Sequence, residues 1–521
     1  MSAQPAIAHR AGAREWTGLA AIALPCMLYA MDLTVLNLAV PHLSAALRPT
    51  NAQMLWIVDI YGFMLAGSLI TMGTLGDRIG RRRLLLIGAA FFGFASVLAA
   101  LSTSAEMLIA TRALLGVAGA TLAPSTLSLI RNMFLDPQQR TVAIGIWIAS
   151  FSVGGTIGPL IGGALLEHFW WGSVFLVSVP VMALLLVIGP WLLPEYRDPT
   201  AGRLDVLSAG QSLAAVLAVI YGLKRFAEQG IGIVPVAAVL VGVAIGWAFI
   251  RRQGRLADPL IDLRLFRAPA FSAALLINTL AFFIAFGSFL FVVQYMQLVM
   301  GLSPLQAGLW SVPSGAAFAI GSNLVPRLVR HVRPGFVMAG GLALAAVGFA
   351  LLAQVDRRDG LHLLAGAYAL LSLGLSFAFT LAVDMMVGTA PPERAGAASA
   401  ISETSSEFGG ALGIAMLGSL IVAVYRHAMA GAELAGVPSR LQEAARASLG
   451  VVDDIAAGLP GPAAAALLES SREAFAQAFR LTCSISAAIA LATALLAALM
   501  LRGVGRPPQA AAASSPCPGE A

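Results

Sequence analysis

The sequence predicts an all-α polytopic membrane protein, with 14 transmembrane helices arranged as two six-helix bundles plus two inserted helices. Two observations carry that prediction and a third orients it. Composition comes first: of 521 residues 59% are hydrophobic and only 11% charged, with a mean hydropathy of +0.85. A string of soluble domains is excluded by such values. Next, apolar runs of about 20 residues recur from end to end, each long enough to cross roughly 30 Å of hydrocarbon as a helix. Finally, the 32 Lys and Arg residues sort unevenly among the loops: 21 fall on one side, ten on the other, and Arg112 lies inside a span. Positively charged short loops stay in the cytoplasm, so both termini are expected there. The net charge of +6 follows from topology and requires no nucleic-acid partner.

The spans follow in order. The first, 17–40, comes after Arg10 and Arg14 but outruns signal-peptide length and contains Asp32, which makes it a span and not a leader. Spans 2 to 6 cover 54–73, 84–101, 107–130, 141–165 and 171–193, with inner loops marked by Arg78, Arg81, Arg82, Arg83, Arg131 and Arg140. Two inserted spans, 204–223 and 231–250, lead into a basic, proline-containing connector at 251–270. Six more follow at 271–298, 305–326, 335–354, 361–387, 396–425 and 475–501. Between the last two lies an outer loop, 426–474, in which "AELAGVPSRLQEAARASL" reads as an amphipathic surface helix. The expected domains are therefore 1–200, 201–270 and 271–505, with a disordered tail at 506–521. An internal repeat supports the division: at an offset of 254 residues Arg140 overlies Arg394 and Gly155 overlies Gly409. Cys26, Cys483 and Cys517 are too few and scattered for a disulfide framework or a metal site, and no metal is expected.

Several motifs carry more than topology. The loop "GTLGDRIGRRRLL" (73–85) sets Gly73, Gly76 and Gly80 around Asp77, Arg78 and Arg81; glycines permit a tight turn between helices, and Asp and Arg can pair across it or with nearby helix ends. In "GGTIGPLIGGAL" (154–165), Gly154, Gly158 and Gly162 recur every four residues and give one smooth packing face, while Pro159 permits a kink. The first loop resembles the signature of the major facilitator superfamily, and the second its antiporter motif. "MDLTVLNLAVP" (31–41), "LWIVDIYGF" (55–63) and "TRALLGVAGA" (111–120) resemble the fourteen-span drug:proton antiporters of that superfamily. Asp59 narrows the resemblance to quaternary-ammonium efflux pumps of the QacA and SmvA types. A major facilitator fold in a bacterial cytoplasmic (inner) membrane is what this resemblance implies, with Gly73, Asp77, Arg78, Gly80, Arg81, Gly154, Gly158, Pro159 and Gly162 serving conformational change.

Charges within spans are few, and each costs at least about 2.5–3.5 kcal/mol at mid-depth, so they usually face a cavity. Asp32 lies about 15 residues into an outward-running span, Asp59 and Arg112 about five into inward-running ones; at about 1.5 Å per residue all three reach similar depth. Arg112 is therefore in reach of Asp32 or of Asp59. A carboxylate with a removable partner can take up and release a proton; the alternative is a static pair that orders three helices. Glu403 and Glu407, four residues apart on one helix face, have no Lys or Arg between Arg394 and Arg426. They read as protonated residues, as a site awaiting a cation, or as structural hydrogen-bond donors. Asp384, near the inner end of span 12, reads as an inner-gate or packing group. Aromatic faces attract lipophilic cations, which brings Trp56, Tyr61 and Phe286 into the candidate substrate site beside Asp59, Glu403 and Glu407.

The expected function is proton-coupled export of lipophilic organic cations by a monomer, with Asp32, Arg112, Glu403 and Glu407 coupling protons. The partners are the cation, protons and the bilayer; no cofactor is expected beyond the proton gradient. A carrier of an anionic or neutral metabolite is the alternative, and it would need basic groups in the cavity, where only Arg112 is available. No nucleotide loop, Ser-His-Asp set or metal cluster points to an enzyme.

Overall fold

The structure, a computed structural model, describes residues 11–49, 51–197, 205–229, 232–256, 259–356, 360–391, 395–431, 437–447 and 452–503. Among these residues there is no strand. The helices are α1 (Ala13–Leu47), α2 (Asn51–Ile79), α3 (Arg81–Ala100), α4 (Ala105–Gly119), α5 (Leu122–Met133), α6 (Pro137–His168), α7 (Ser173–Leu176), α8 (Ser178–Leu192), α9 (Val206–Gln229), α10 (Ile233–Gln253), α11 (Pro269–Gln294), α12 (Pro304–His331), α13 (Pro334–Leu352), α14 (Leu361–Thr389), α15 (Ala395–Ala430), α16 (Ser439–Ala447), α17 (Val452–Ala457) and α18 (Gly461–Met500). Ten stretches among the described residues are long and apolar enough to cross a membrane, and the long helices α1, α2, α6 and α12 occupy the other four expected spans.

Four expected spans differ in detail, span 6 among them, which divides into α7 and α8 at Val177. Span 4 divides into α4 and α5 at Ala120 and Thr121, because Pro124 has no N–H and its ring opposes the carbonyl four residues back. Span 9 ends in one wider turn, Tyr295–Val299. The last span begins at Gly461, so α18 takes residues assigned to the outer loop; in that loop only Ser439–Ala447 of the expected amphipathic helix is helical within the described residues, and Tyr425 ties it down by donating to the Ala445 carbonyl at 2.8 Å.

Packing repeats itself. In the first half α1 packs on α6, α2 on α4 and α3 on α8; in the second α11 packs on α15, α12 on α14 and α13 on α18. Each half encloses its own apolar core, one running from Leu19 to Leu193 and the other from Phe249 to Leu501 with few crossings. The halves meet along α6 and α12 and along α2 and α15. The inserted helices pair with each other, and α9 leans on both α2 and α15, where Val216, Leu217 and Ile220 pack with Phe63, Ala66 and Ala411. At the foot of this pair Arg252 donates to Asp205 at 2.8 Å. That bond, with a second from Ser208, holds the Asp205 carboxyl well below the usual carboxylate range, so the clasp stays charged at physiological pH.

Candidate functional site

α1 and α4 bring Asp32 and Arg112 together: Arg112 Nη1 donates to Asp32 Oδ2 at 2.9 Å, with the arginine side chain 1% and the carboxylate 14% exposed. The choice left open by sequence falls to Asp32 in the described contacts. The backbone of Asp59 belongs to α2, but its side chain lies outside the described residues. Arg112 is held at two further points, donating through Nε to the Ile57 carbonyl at 3.0 Å and lying over the Tyr61 ring, 4.9 Å from its centroid. Tyr61 is fully buried, and its hydroxyl sits within electrostatic reach of Asp32, Arg112 and Glu407.

Glu407 arrives from the other half. Tyr29 of α1 donates its hydroxyl to Glu407 Oε1 of α15 at 3.1 Å, a contact spanning 378 positions of sequence. Glu403, one turn earlier, neighbours Glu407 and lies within electrostatic reach of Cys26 and Tyr29. An aromatic chain backs the tyrosine: its ring stands edge-on to Phe151 at 5.5 Å, and Phe151 likewise to Trp147 at 4.8 Å, whose Nε1 donates to Thr126 at 2.9 Å. The ion pair of one half and the acidic pair of the other thus share one centre. Tyr29 escaped the sequence analysis, although its place three residues before Asp32, on the same helix face, was a usable signal.

Two further expected substrate residues pack at helix seams. Trp56 is 39% exposed and lies nearly parallel to Tyr221 of the inserted helix α9 at 6.4 Å, at the seam between α2 and α9. Phe286 is 48% exposed and stacks on Phe282 at 5.7 Å, against Gly410.

The motif residues form two constructions. Between α2 and α3, Asp77 pairs with Arg81, one turn on. Gly73 and Gly80 are buried, and Gly80 has φ +114°, a backbone region open mainly to glycine. A side chain there would also meet the Glu195 carboxylate, which accepts from the Arg82 backbone N–H at 3.1 Å. Arg78, half-buried, follows Asp77 in the last turn of α2. Along α6, a methyl at Gly154 would collide with the Met27 carbonyl of α1 and one at Gly162 with Val35; Gly158 is buried, and the Pro159 ring lies outside the described residues. Gly155, the residue laid over Gly409 by the sequence repeat, faces open space, whereas Gly409 abuts the Thr279 carbonyl of α11. On the side carrying the arginine-rich loops, Asp384 of α14 accepts from Arg140 Nε and Thr141 Oγ1 of α6, both at 3.0 Å, and Arg131 donates to the Ala390 carbonyl at 2.6 Å. Asp384 therefore bridges the halves.

Two helical halves, joined around a buried charged centre and tied at one end by an ion pair, define a membrane carrier. The Major Facilitator Superfamily model matches residues 22–414, and the chain belongs to that family; it is a transporter and not an enzyme. It is 43% identical over 466 residues to the multidrug efflux pump LfrA of Mycolicibacterium smegmatis, covering 89% of this chain and 92% of that protein. It is 37% identical to the methyl viologen resistance protein SmvA of Salmonella typhimurium (89% and 93%) and 32% identical to the tetracenomycin C resistance and export protein of Streptomyces glaucescens (91% and 89%). Among solved structures, the human organic anion transporter MFSD10 superposes with a TM-score of 0.60 at 16% identity, covering 95% of this chain and 100% of that one. A bacterial homologue of the human lysosomal transporter Spinster superposes at 0.55 and 20%, covering 93% and 98%. Both share the fold.

Proposed function

We propose that this major facilitator drug exporter is a proton-coupled antiporter for lipophilic cationic drugs, dyes and quaternary ammonium antiseptics. It works as a monomer in the bacterial cytoplasmic membrane, with both termini in the cytoplasm, by alternating access between halves 1–200 and 271–505. The observation that carries this reading is the meeting of the buried Asp32–Arg112 pair with Glu403 and Glu407 of the opposite half. An uncompensated charge in a dry interior is expensive, so each carboxylate there seeks a cation or a proton. Protons entering from outside neutralise these acids and displace the cation; proton release to the cytoplasm restores the site. Each charge moved across the membrane contributes about 2.3 kcal/mol per 100 mV. An anion carrier fits less well, because Arg112 is already committed to Asp32, the Ile57 carbonyl and Tyr61. The similarity to proteins named for multidrug efflux and methyl viologen resistance supports a drug substrate.

Uptake of ethidium into inverted vesicles tests the reading. Wild-type uptake collapses with a protonophore, and Asp32→Asn abolishes it although the protein is inserted. Folded wild type that takes up no ethidium would replace the reading with a metabolite carrier.

A further inference from the structure

Tyr29 belongs to neither the ion pair nor the glycine motifs, yet it joins the two halves at the centre of the molecule. Its ring is 5% exposed and fixed by elements of the first half: edge-on to Phe151 of α6 at 5.5 Å and tilted against Tyr61 of α2 at 6.4 Å, with Tyr61 itself beneath Arg112. Only the hydroxyl reaches across, donating to Glu407 Oε1 at 3.1 Å. We propose that Tyr29 is a positioning residue for cation–proton exchange: its hydroxyl holds Glu407 at the Asp32–Arg112 pair, and a cation or proton taken by Glu407 loosens this tie between the halves. The inference rests on the cation-antiport reading of the same site.

The chemistry suits a tie that senses its own occupancy. A phenol is a neutral donor, so it holds an ionised carboxylate without cancelling the charge that attracts a cation. A hydrogen bond to a charged acceptor is roughly twice as strong as one between neutral groups, so protonating Glu407 weakens the tie without moving the ring. The other charged or titratable groups around this contact are Glu403 on the same helix, Asp32 on α1, Arg112 on α4 and Tyr61 on α2. Cys26 on α1 also lies within reach of Glu403, and Tyr61 within reach of Glu407; the hydrogen bond described between the halves at this centre is that of the Tyr29 hydroxyl. At the arginine-rich end, Arg140 and Asp384 make the corresponding cross-link as a full ion pair.

Tyr29→Phe removes the hydroxyl and keeps the ring. In proteoliposomes holding the full chain, with ethidium as the probe, the variant is expected to lower KM about threefold to tenfold, because the cation no longer competes with the phenol for Glu407. Proton leak without ethidium is expected to rise, because the unloaded halves are no longer tied at this centre. A merely structural role would change Vmax and the amount of folded protein without this pair of effects. In a Glu407→Ala background, Tyr29→Phe should add nothing further. Unchanged KM and leak in Tyr29→Phe, or additive effects in the double variant, would overturn the proposal while wild-type transport leaves the antiport reading standing. Should Tyr29→Phe not fold, Tyr29→Leu, which also lacks the hydroxyl and leaves Glu407 in place, takes its part in both assays, and unchanged KM and leak there overturn the proposal as well. Absence of wild-type ethidium transport removes the antiport reading itself.

Discussion

At the residue scale, Arg112 is one of the two arginines among the described residues that are almost wholly buried. It satisfies a carboxylate of α1 and, from α2, both a backbone carbonyl and an aromatic face. A lysine has the charge but not the fork: one ammonium cannot lie over Tyr61 while meeting both Asp32 and the Ile57 carbonyl. Arg112→Lys is therefore expected to cost about 2 kcal/mol or more of stability, as for a buried charge pair left partly unmet, and to reduce transport at least about tenfold. Thermal unfolding in detergent and vesicle uptake measure the two effects. That Arg112 needs an acid at its own depth was legible from counting residues along three spans. Which acid it takes depends on how the helices rotate about their axes, and no apolar run encodes that rotation. Tyr29 was hidden for a related reason, since its partner lies on a helix of the other half, at a contact no local pattern specifies.

At the scale of elements, α1 and α6 approach backbone to side chain, and the glycine face of α6 makes the approach possible. Adjacent residues on α6 give a controlled comparison. Gly154→Ala drives a methyl into the Met27 carbonyl and is expected to cost about 1–3 kcal/mol, shifting α1 and the Asp32 it carries, with a corresponding loss of uptake. Gly155→Ala has room and should transport like the wild type; equal behaviour of the two variants in stability and uptake assays would contradict the packing described. The small-residue periodicity and its register were both plain in the sequence, since Gly154 and Gly162 of the repeat of four are glycines that meet α1. The carbonyl that Gly154 meets was not legible, because a repeat of four marks a face without naming what lies against it. Trp56 shows the complementary limit: sequence placed it on the right helix, and the position of the inserted α9, which no motif announces, turned it into a seam residue.

At the scale of the whole molecule, the expected spans and the unequal distribution of arginines agree with two helical halves tied together at the arginine-rich end by Arg140, Thr141 and Asp384. Reversing one charge, as in Asp384→Arg, sets two cations against each other and should arrest transport with the halves held apart at that end. Adding Arg140→Asp restores an opposite-charge pair and should recover part of the activity; uptake by the two variants side by side distinguishes a gate from a residue needed only for packing. Two-bundle architecture was readable because membrane helices need long apolar runs and little else. Contacts between the bundles were less readable, since they join residues far apart in the chain. Helix α9 joins both bundles by another kind of contact. Where it spans α2 and α15, Val216, Leu217, Ile220 and Tyr221 form a largely apolar cluster with Phe63, Ala66 and Ala411. Contacts of this type have no preferred direction, so they can slip along one another with little resistance, whereas an ion pair must let go all at once. The molecule is thus built with a lubricated bearing on one flank and a catch at one end. Its cycling speed should answer to the strength of the catch and hardly at all to the size of the bearing.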